Sequence, residues 1–306
     1  MQRTLKGPVG FAGIGLHSGR PARITVQPAS ANYGIWFRRT DLGGNNLIAA
    51  RWDSVVSAVL CTEIGNGTGV RVSTVEHLMA ALAGCGIHNA LIEIDGPEVP
   101  ILDGSAARFV AGFLKRGLRV LDAPVRAIEV LETVTVEAPN GARASLSPAP
   151  ALEIDFEIDF TDAAIGRQSK RLDMANGAFV RELSDSRTFC RQADVAAMQA
   201  RGLVRGGSVR NAVVVDGDRV LSPGGFRHCD EPVRHKMLDA LGDLALAGAP
   251  LKALYRGERA GHLLTNQLLR ALFARPMAWR MVACDAASAA RLPGAGVVRA
   301  DLPAAA

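Results

Sequence analysis

The sequence predicts an α+β protein made of two domains with similar architecture. Its 306 residues exceed the usual size of a single domain. The predicted elements also follow the same order twice, with strands first and then a helix, a strand and a helix. No convincing repeat of residues accompanies this order, so the similarity rests on the elements alone. The segment Asp122–Pro124 indicates a boundary, which predicts domains of residues 1–122 and 123–306.

The first half begins with strands and ends with helices. Residues 1–60 contain alternating apolar positions, as in Ala22–Val26 and Gly34–Phe37, separated by Gly, Asn and Pro. Three further elements are predicted after them: a helix over 73–83, a strand over 88–94 and a helix over 105–115. Asp103 and Ser105 are candidate caps of the last of these helices.

The second half repeats this order around a longer middle segment. Strands are predicted over 127–137, 142–147 and 151–158, followed later by a helix over 231–247, a strand over 252–256 and a helix over 262–274. Residues 184–222 interrupt the pattern with a short helical stretch, a glycine-rich turn and a strand. We interpret this segment as an insertion with a function.

Composition limits the classes of function. A net charge of +5 suits an anionic partner, and a phosphorylated small molecule satisfies it. Nucleic acid is not an expected partner, because no basic run is interleaved with aromatic residues. The chain has neither the apolar run of a signal peptide nor a long apolar span, so we expect a cytoplasmic protein without stable membrane insertion. Five scattered cysteines without a C-x-x-C pair indicate reduced thiols.

The predicted helix over 231–247 carries a candidate metal pair. His235 and Asp239 are four residues apart, so both side chains project from one helix face and can reach one cation. A hydrogen bond on a solvated surface is the alternative. Lys236 and Asp243 lie on the same face, and Asp243 is placed to hold a neighbouring imidazole charged and oriented.

A second pattern opens the helix over 73–83, where Glu76 precedes His77. A histidine that binds a metal beside a carboxylate that activates water is a recurring need of hydrolases. The alternative for Glu76 is a capping box with Ser73. Together, His77, His235 and Asp239 would form a catalytic zinc site with a fourth position open to water.

His262 stands at the predicted start of the last helix. It is placed to protonate a leaving amine, or it is an ordinary polar residue at a helix end. Cys85 and His88 are spaced like a metal pair, but a buried thiol in a turn is the better interpretation. His228 and Cys229 are expected in an exposed loop.

Five motifs span the chain: Gly15–Gly19, Ser73–Leu82, Pro100–Ser105, Ser186–Phe189 and Val233–Asp243. In this order they resemble the family of UDP-3-O-acyl-N-acetylglucosamine deacetylases over essentially the whole chain. The resemblance implies that each domain is a two-layer sandwich of helices on a sheet, with the active site between the domains. It also implies zinc-dependent removal of acetate from UDP-3-O-(3-hydroxyacyl)-N-acetylglucosamine, the committed step of lipid A biosynthesis.

The resemblance assigns a role to each residue of the site. The zinc ligands would be His77, His235 and Asp239, although iron(II) could replace zinc in the cell. Glu76 would be the base for the metal-bound water. The remaining catalytic residues would be a cationic acid or electrostatic partner, its supporting carboxylate, a hydroxyl that polarises the carbonyl and a basic residue near the substrate: His262, Asp243, Thr188 and Lys236.

Substrate contacts are also implied. An apolar passage for the acyl chain would be lined by Val195, Leu203, Val204, Ala212 and Val214. Phe160 would stack on uracil, Phe189 would contact the substrate, and Arg259 would face the diphosphate where a lysine is common. Cys190 and the segment 161–165 depart from the family pattern. The resemblance leads us to expect a monomer acting on this acylated UDP-amino sugar.

Two other classes compete with this interpretation. A catalytically silent sugar-nucleotide or lipid-binding protein would not need an intact set of Glu76, His77, His235, Asp239 and His262. A zinc peptidase usually carries an H-E-x-x-H helix, whereas here the acid precedes the histidine.

Overall fold

The computed structural model describes residues 1–302, and it has an α+β fold. The first half is built on a five-stranded sheet with the order β2-β3-β9-β4-β5. Its strands are β2 (Val9–Ile14), β3 (Pro21–Pro28), β4 (Ile35–Arg39), β5 (Leu47–Ala49) and β9 (Ala90–Ile94). The central strand β9 runs antiparallel to β3 and parallel to β4.

Smaller strands complete the first half. β1 (Arg3–Leu5) pairs with β10 (Leu118–Val120), which brings the two ends of this half together. A separate three-stranded sheet is formed by β6 (Val55–Ser57), β7 (Glu63–Gly65) and β8 (Arg71–Val72). The loop between β6 and β7 contains Thr62.

The second half is built on a seven-stranded sheet. Its strands are β11 (Arg126–Val130), β12 (Val134–Glu137), β13 (Arg143–Pro148), β14 (Glu153–Asp159), β15 (Arg167–Asp173), β19 (Leu251–Glu258) and β20 (Trp279–Ala283). β19 is central, because it is antiparallel to β13 and parallel to both β11 and β14. All strands of this sheet follow residue 122.

The predicted insertion forms a small unit of its own. It contains β16 (Phe189–Arg191), α3 (Gln192–Ala200), β17 (Val213–Asp216) and β18 (Arg219–Val220). The three strands form one sheet in the order β16-β17-β18. α3 follows β16 directly, because β16 ends at Arg191 and α3 begins at Gln192.

The other helices lie between and against the sheets. They are α1 (Glu76–Gly84), α2 (Ala107–Arg116), α4 (Glu231–Ala245), α5 (His262–Phe273) and α6 (Ala286–Ala290). α2 packs on β2, and α4 and α5 pack on strands of the large sheet. α1 and α4 pack on each other, and one continuous apolar core extends through both halves. Within residues 1–302, no helix has the length and apolar character needed to cross a membrane.

Several predicted elements differ from the structure. The strand expected over 127–137 is two strands, β11 and β12, which pair with different neighbours. β15 was not predicted, because its sequence is polar except for Leu172 and has no apolar alternation. The first helix begins at Glu76 and not at residue 73, since Thr74 has a φ of 58° and interrupts any helix before it.

Candidate active site and metal centre

α4 presents two of the predicted ligands from one of its faces. Nε2 of His235 lies 3.2 Å from Oδ1 of Asp239, as expected for residues one helical turn apart. Both side chains are buried. The alternative of a hydrogen bond on a solvated surface is therefore wrong, because this face of α4 meets the other half of the molecule.

The third predicted ligand comes from α1. Nε2 of His77 lies 3.5 Å from Oδ1 of Asp239, although the two residues belong to different halves of the chain. The ligand atoms of His77, His235 and Asp239 all lie within 4.8 Å of one another, and all three residues are buried. The structure thus brings together the three residues that the sequence pattern singled out.

A glycine allows α1 and α4 to approach so closely. A Cβ atom added to Gly242 would lie 2.0 Å from the carbonyl oxygen of Glu76. Because carbon and oxygen cannot approach to that distance, only glycine allows the backbone of α4 to touch the first turn of α1. This contact positions His77 opposite His235 and Asp239.

The chemistry of the three residues fits a zinc ion. Oδ1 of Asp239 is buried and has no hydrogen-bond partner among the described residues, which is costly for a carboxylate oxygen without a cation. Nδ1 of His235 donates to the carbonyl oxygen of Ser186 over 3.0 Å, so the lone pair of Nε2 is free. Burial lowers the pKa of His235 to about 4, which keeps the ring neutral as a metal ligand must be.

Lys236 follows His235 on α4 and stabilises this set of candidate ligands. Its Nζ donates to Oδ2 of Asp239 over 2.8 Å, which leaves Oδ1 directed at the two imidazoles. Burial opposes the ionised form of Asp239, but the neighbouring groups, among them the charged Lys236, outweigh that effect and hold its pKa well below the usual value. The carboxylate is therefore ionised and oriented.

Glu76 lies beside the three ligand residues and also borders the cavity described below. Its Oε2 accepts the backbone N–H of Thr62 over 3.0 Å. The backbone N–H of Ser73 instead donates to the carbonyl of Pro97, so the capping-box alternative is wrong. Burial raises the pKa of Glu76, although the nearby His262 and His77 oppose this shift. A carboxylate with a raised pKa is a stronger base.

His262 and Asp243 form a pair, in which Asp243 is buried and the side chain of His262 is 10% exposed. Nδ1 of His262 lies 2.8 Å from Oδ2 of Asp243. Burial disfavours the imidazolium, but Asp243, together with Glu76 and Asp239, overcomes that penalty and raises the pKa of His262 to about 9. Nε2 of His262 lies 4.0 Å from Oδ2 of Asp239, so a cationic ring faces the ligand set.

A cavity of about 840 Å³ opens onto these groups. Thr188, Lys236 and Arg259 border it, as the resemblance implied. Phe160 and Phe189 also border it, and their ring centroids lie 5.4 Å apart at an edge-to-face angle. The guanidinium of Arg259 donates to the carbonyl of Gly141 over 2.9 Å.

The five apolar residues predicted to line the acyl passage are not among the described residues that form the wall of this cavity: Val195, Leu203, Val204, Ala212 and Val214. α3 instead presents Asp194, Ala197, Met198 and Arg201 to it. These positions follow the i, i+3, i+4, i+7 spacing of one helix face, which leaves Val195 on another face. Ala212 and Val214 are buried in and beside the small sheet.

Two residues of the site, Thr62 and His17, were not predicted from the sequence. Thr62 is buried, and its Oγ1 donates to Oδ1 of Asp243 over 2.6 Å while its N–H binds Glu76. His17 borders the cavity with both ring nitrogens buried and unpartnered among the described residues. The glycine-rich segment around His17 was a signal for this residue, whereas no signal marked Thr62.

The two departures from the family pattern lie at the edge of the cavity. Cys190 borders it and is half-buried. Asp162, from the segment 161–165, accepts a hydrogen bond from Arg191 over 2.5 Å and another from the N–H of Gly217 over 3.2 Å. These two hydrogen bonds therefore connect the insertion to the loop of the β14–β15 hairpin.

Comparison with known proteins agrees with this geometry. The family described as UDP-3-O-acyl N-acetylglycosamine deacetylase (LpxC) matches residues 2–274. The chain belongs to this family. A UDP-3-O-acyl-N-acetylglucosamine deacetylase of Phenylobacterium zucineum (strain HLK1) is 52% identical over 281 residues, which cover 92% of this chain and 96% of the relative.

Other LpxC relatives are similar over the same span. The protein of that name from Shewanella loihica (strain ATCC BAA-1088 / PV-4) is 45% identical over 287 residues, 93% of each chain. The one from Pasteurella multocida (strain Pm70) is 44% identical over 287 residues, also 93% of each chain. The LpxC match therefore includes every residue of the candidate metal centre.

Proposed function

We propose that this protein hydrolyses the N-acetyl group of UDP-3-O-(3-hydroxyacyl)-N-acetylglucosamine, giving the free amine and acetate in the committed step of lipid A biosynthesis. The observation that carries the proposal is the meeting of His77, His235 and Asp239 within 4.8 Å, beside the buried carboxylate of Glu76 and the imidazole of His262. The names of the LpxC relatives support the substrate class, a UDP-3-O-acyl-N-acetylglucosamine.

A zinc ion fits the three ligands, with iron(II) as a possible substitute in the cell. When bound, zinc supplies Lewis acidity, which lowers the pKa of water to about 7 and polarises a carbonyl group. Thiolate ligands are not required, because two imidazoles and one carboxylate form a catalytic set that leaves a position open.

The protein's own residues perform the proton transfers. Glu76 accepts a proton from the attacking water as the water oxygen bonds to the acetyl carbon. His262, held as the imidazolium by Asp243, donates a proton to the amide nitrogen as the C–N bond breaks. The products are then an amine and acetate, and the two side chains exchange protons with solvent.

Other residues bind and orient the substrate. The hydroxyl of Thr188 donates to the carbonyl oxygen, where negative charge develops. Lys236 holds Asp239 and contributes positive charge near the substrate. Phe160 stacks on the uracil, Phe189 contacts the sugar end and Arg259 faces the diphosphate. The acyl chain lies along the face of α3 that includes Met198.

We also propose the organisation that the sequence implied. Residues 1–122 and 123–306 would be two domains with the site between them. The protein would act in the cytoplasm as a monomer. Size-exclusion chromatography with light scattering tests the monomer, and a species of twice the mass would contradict it.

Removal and return of the metal tests the proposed function. Acetate release from the acylated UDP-amino sugar is measured before chelation, after chelation and after addition of zinc or iron(II). We expect activity to vanish and return with about one ion per chain. A silent binding protein would release no acetate in any state, and a peptidase would cleave peptides instead.

A further inference from the structure

A second cavity lies between the two halves at the carboxyl ends of α1 and α4. Its volume is about 350 Å³, within the range of small-molecule sites. Its walls are mainly apolar and come from both helices and both large sheets: Ile35, Met79, Leu82, Leu241, Leu244 and Leu251. The described residues that line it include none of those that line the catalytic cavity.

Small side chains create this space. Ala83 on α1 and Ala245 on α4 both face it, at the point where the two helices end. The larger apolar residues around these two alanines leave room for the apolar part of a ligand. That group would make van der Waals contacts with cavity walls that otherwise have no partner atoms. The apolar part of the cavity thus suits an alkyl or aryl group.

One end of the cavity offers a hydrogen-bond donor. Nδ1 of His88 accepts the backbone N–H of Arg3 over 3.1 Å. Burial and the positive charge of Arg3 lower the pKa of His88 to about 4, so the ring is neutral and carries its proton on Nε2. That N–H has no hydrogen-bond partner within residues 1–302, and His88 borders the cavity.

The charges around this end are positive. Arg126 borders the cavity, is exposed and forms no ion pair with a described residue. The positive charge of Arg3 also acts on His88, and its guanidinium donates to the carbonyls of Gly86 and Gly294. No Asp or Glu is among the described residues that line the cavity. An anionic acceptor is therefore favoured over a cation.

We propose that this cavity is a second binding site, which takes a small monocarboxylate with an apolar body. The carboxylate would accept the Nε2–H of His88 and face Arg126, and the apolar body would fill the space beside Ala83 and Ala245. The site lies close to the metal centre, because Met79 follows His77 by two residues and Leu241 follows Asp239 by two. It does not depend on the proposed function.

Calorimetric titration of the zinc-loaded protein with octanoate tests this site. We expect octanoate to bind, and octylamine to bind at least tenfold more weakly, because the amine has the same apolar body and the opposite charge. Equal affinities for the acid and the amine would overturn the proposal. The readout is heat of binding, so it is independent of acetate release.

Filling the cavity separates this site from the catalytic one. The double variant Ala83→Leu with Ala245→Leu adds apolar volume at helix positions that tolerate leucine, and we expect at least a tenfold loss of octanoate affinity. Ala111→Leu on α2 is the matched control, since Ala111 is half-buried and borders neither cavity. Unchanged affinity in the double variant would place octanoate elsewhere and contradict the proposal. If that variant does not fold, as judged by circular dichroism, Ala83→Leu alone is used with the same criterion.

Discussion

One side chain, Thr62, connects Glu76 and His262, the two groups to which we assign proton transfer. Thr62 donates its N–H to Glu76 and its hydroxyl to Asp243, which in turn holds His262. One buried threonine thus orients the proposed base and, through Asp243, the proposed acid. Because both carboxylates are buried, their positions depend on these hydrogen bonds more than on solvent.

The first prediction at this scale concerns Glu76. Glu76→Gln keeps an oxygen that can accept the N–H of Thr62 but cannot take a proton from water. We expect acetate release to fall by roughly 10²- to 10⁴-fold, with the zinc content of the protein unchanged. Turnover and metal content are measured on the same preparation. Near-normal turnover would remove Glu76 from its assigned role.

The second prediction concerns the pH dependence set by Asp243. The pKa of His262 is raised to about 9, so the imidazolium is present below that pH and lost above it. The kcat of the wild-type protein is therefore expected to decline as the pH rises through about 9. In Asp243→Asn the charge is gone and burial disfavours the imidazolium, so this decline moves to lower pH.

A second variant separates the effect of the charge of Asp243 from the effect of its orientation. Thr62→Val removes the hydrogen bond to Oδ1 of Asp243 and leaves the carboxylate in place. We expect kcat to fall while the alkaline decline moves less than it does in Asp243→Asn. Identical pH profiles for Asp243→Asn and the wild-type protein would contradict the assignment of His262.

At the scale of elements, the contact of α1 with α4 determines whether the ligands meet. Gly242→Ala introduces a Cβ atom 2.0 Å from the carbonyl of Glu76, so the helices must separate. We expect a loss of stability of about 1–3 kcal/mol and weaker retention of zinc. Gly43→Ala, in open space with ordinary backbone geometry, is the control. Thermal unfolding and zinc titration measure both effects.

The orientation of α3 gives another test at this scale. Met198 borders the catalytic cavity and Val195 does not. We expect Met198→Glu to raise KM for the acylated substrate at least tenfold, because the carboxylate opposes binding of an apolar chain, and Val195→Glu to change it little. The reverse result would favour the lining predicted from the sequence.

At the scale of the whole molecule, the metal centre joins the two halves. His77 comes from the first half, and His235 and Asp239 come from the second. If zinc binds the folded chain as we propose, it should raise the temperature of unfolding. We expect this increase to be lost in His77→Ala and retained in Ala111→Leu. An equal increase in His77→Ala would show that zinc stabilises the protein from another site.

The sequence by itself determined the α+β class, the family and the candidate ligands. The i, i+4 spacing of His235 and Asp239 and the adjacency of Glu76 and His77 are local, so the period of a helix is enough to predict them. The positions of α4 and α5 were predicted closely for the same reason, since their apolar patterns are strong.

Only the tertiary structure brought these local patterns to one place. Gly242 and Thr62 carry no local signal, because their importance lies in contacts with residues far away in the chain. Apolar character alone also does not indicate which face of α3 borders the cavity, and in the folded chain that face includes Met198 and not Val195. Spacing along the chain determines which side chains share one face of a helix or strand. The packing of helices and strands determines which distant residues that face contacts.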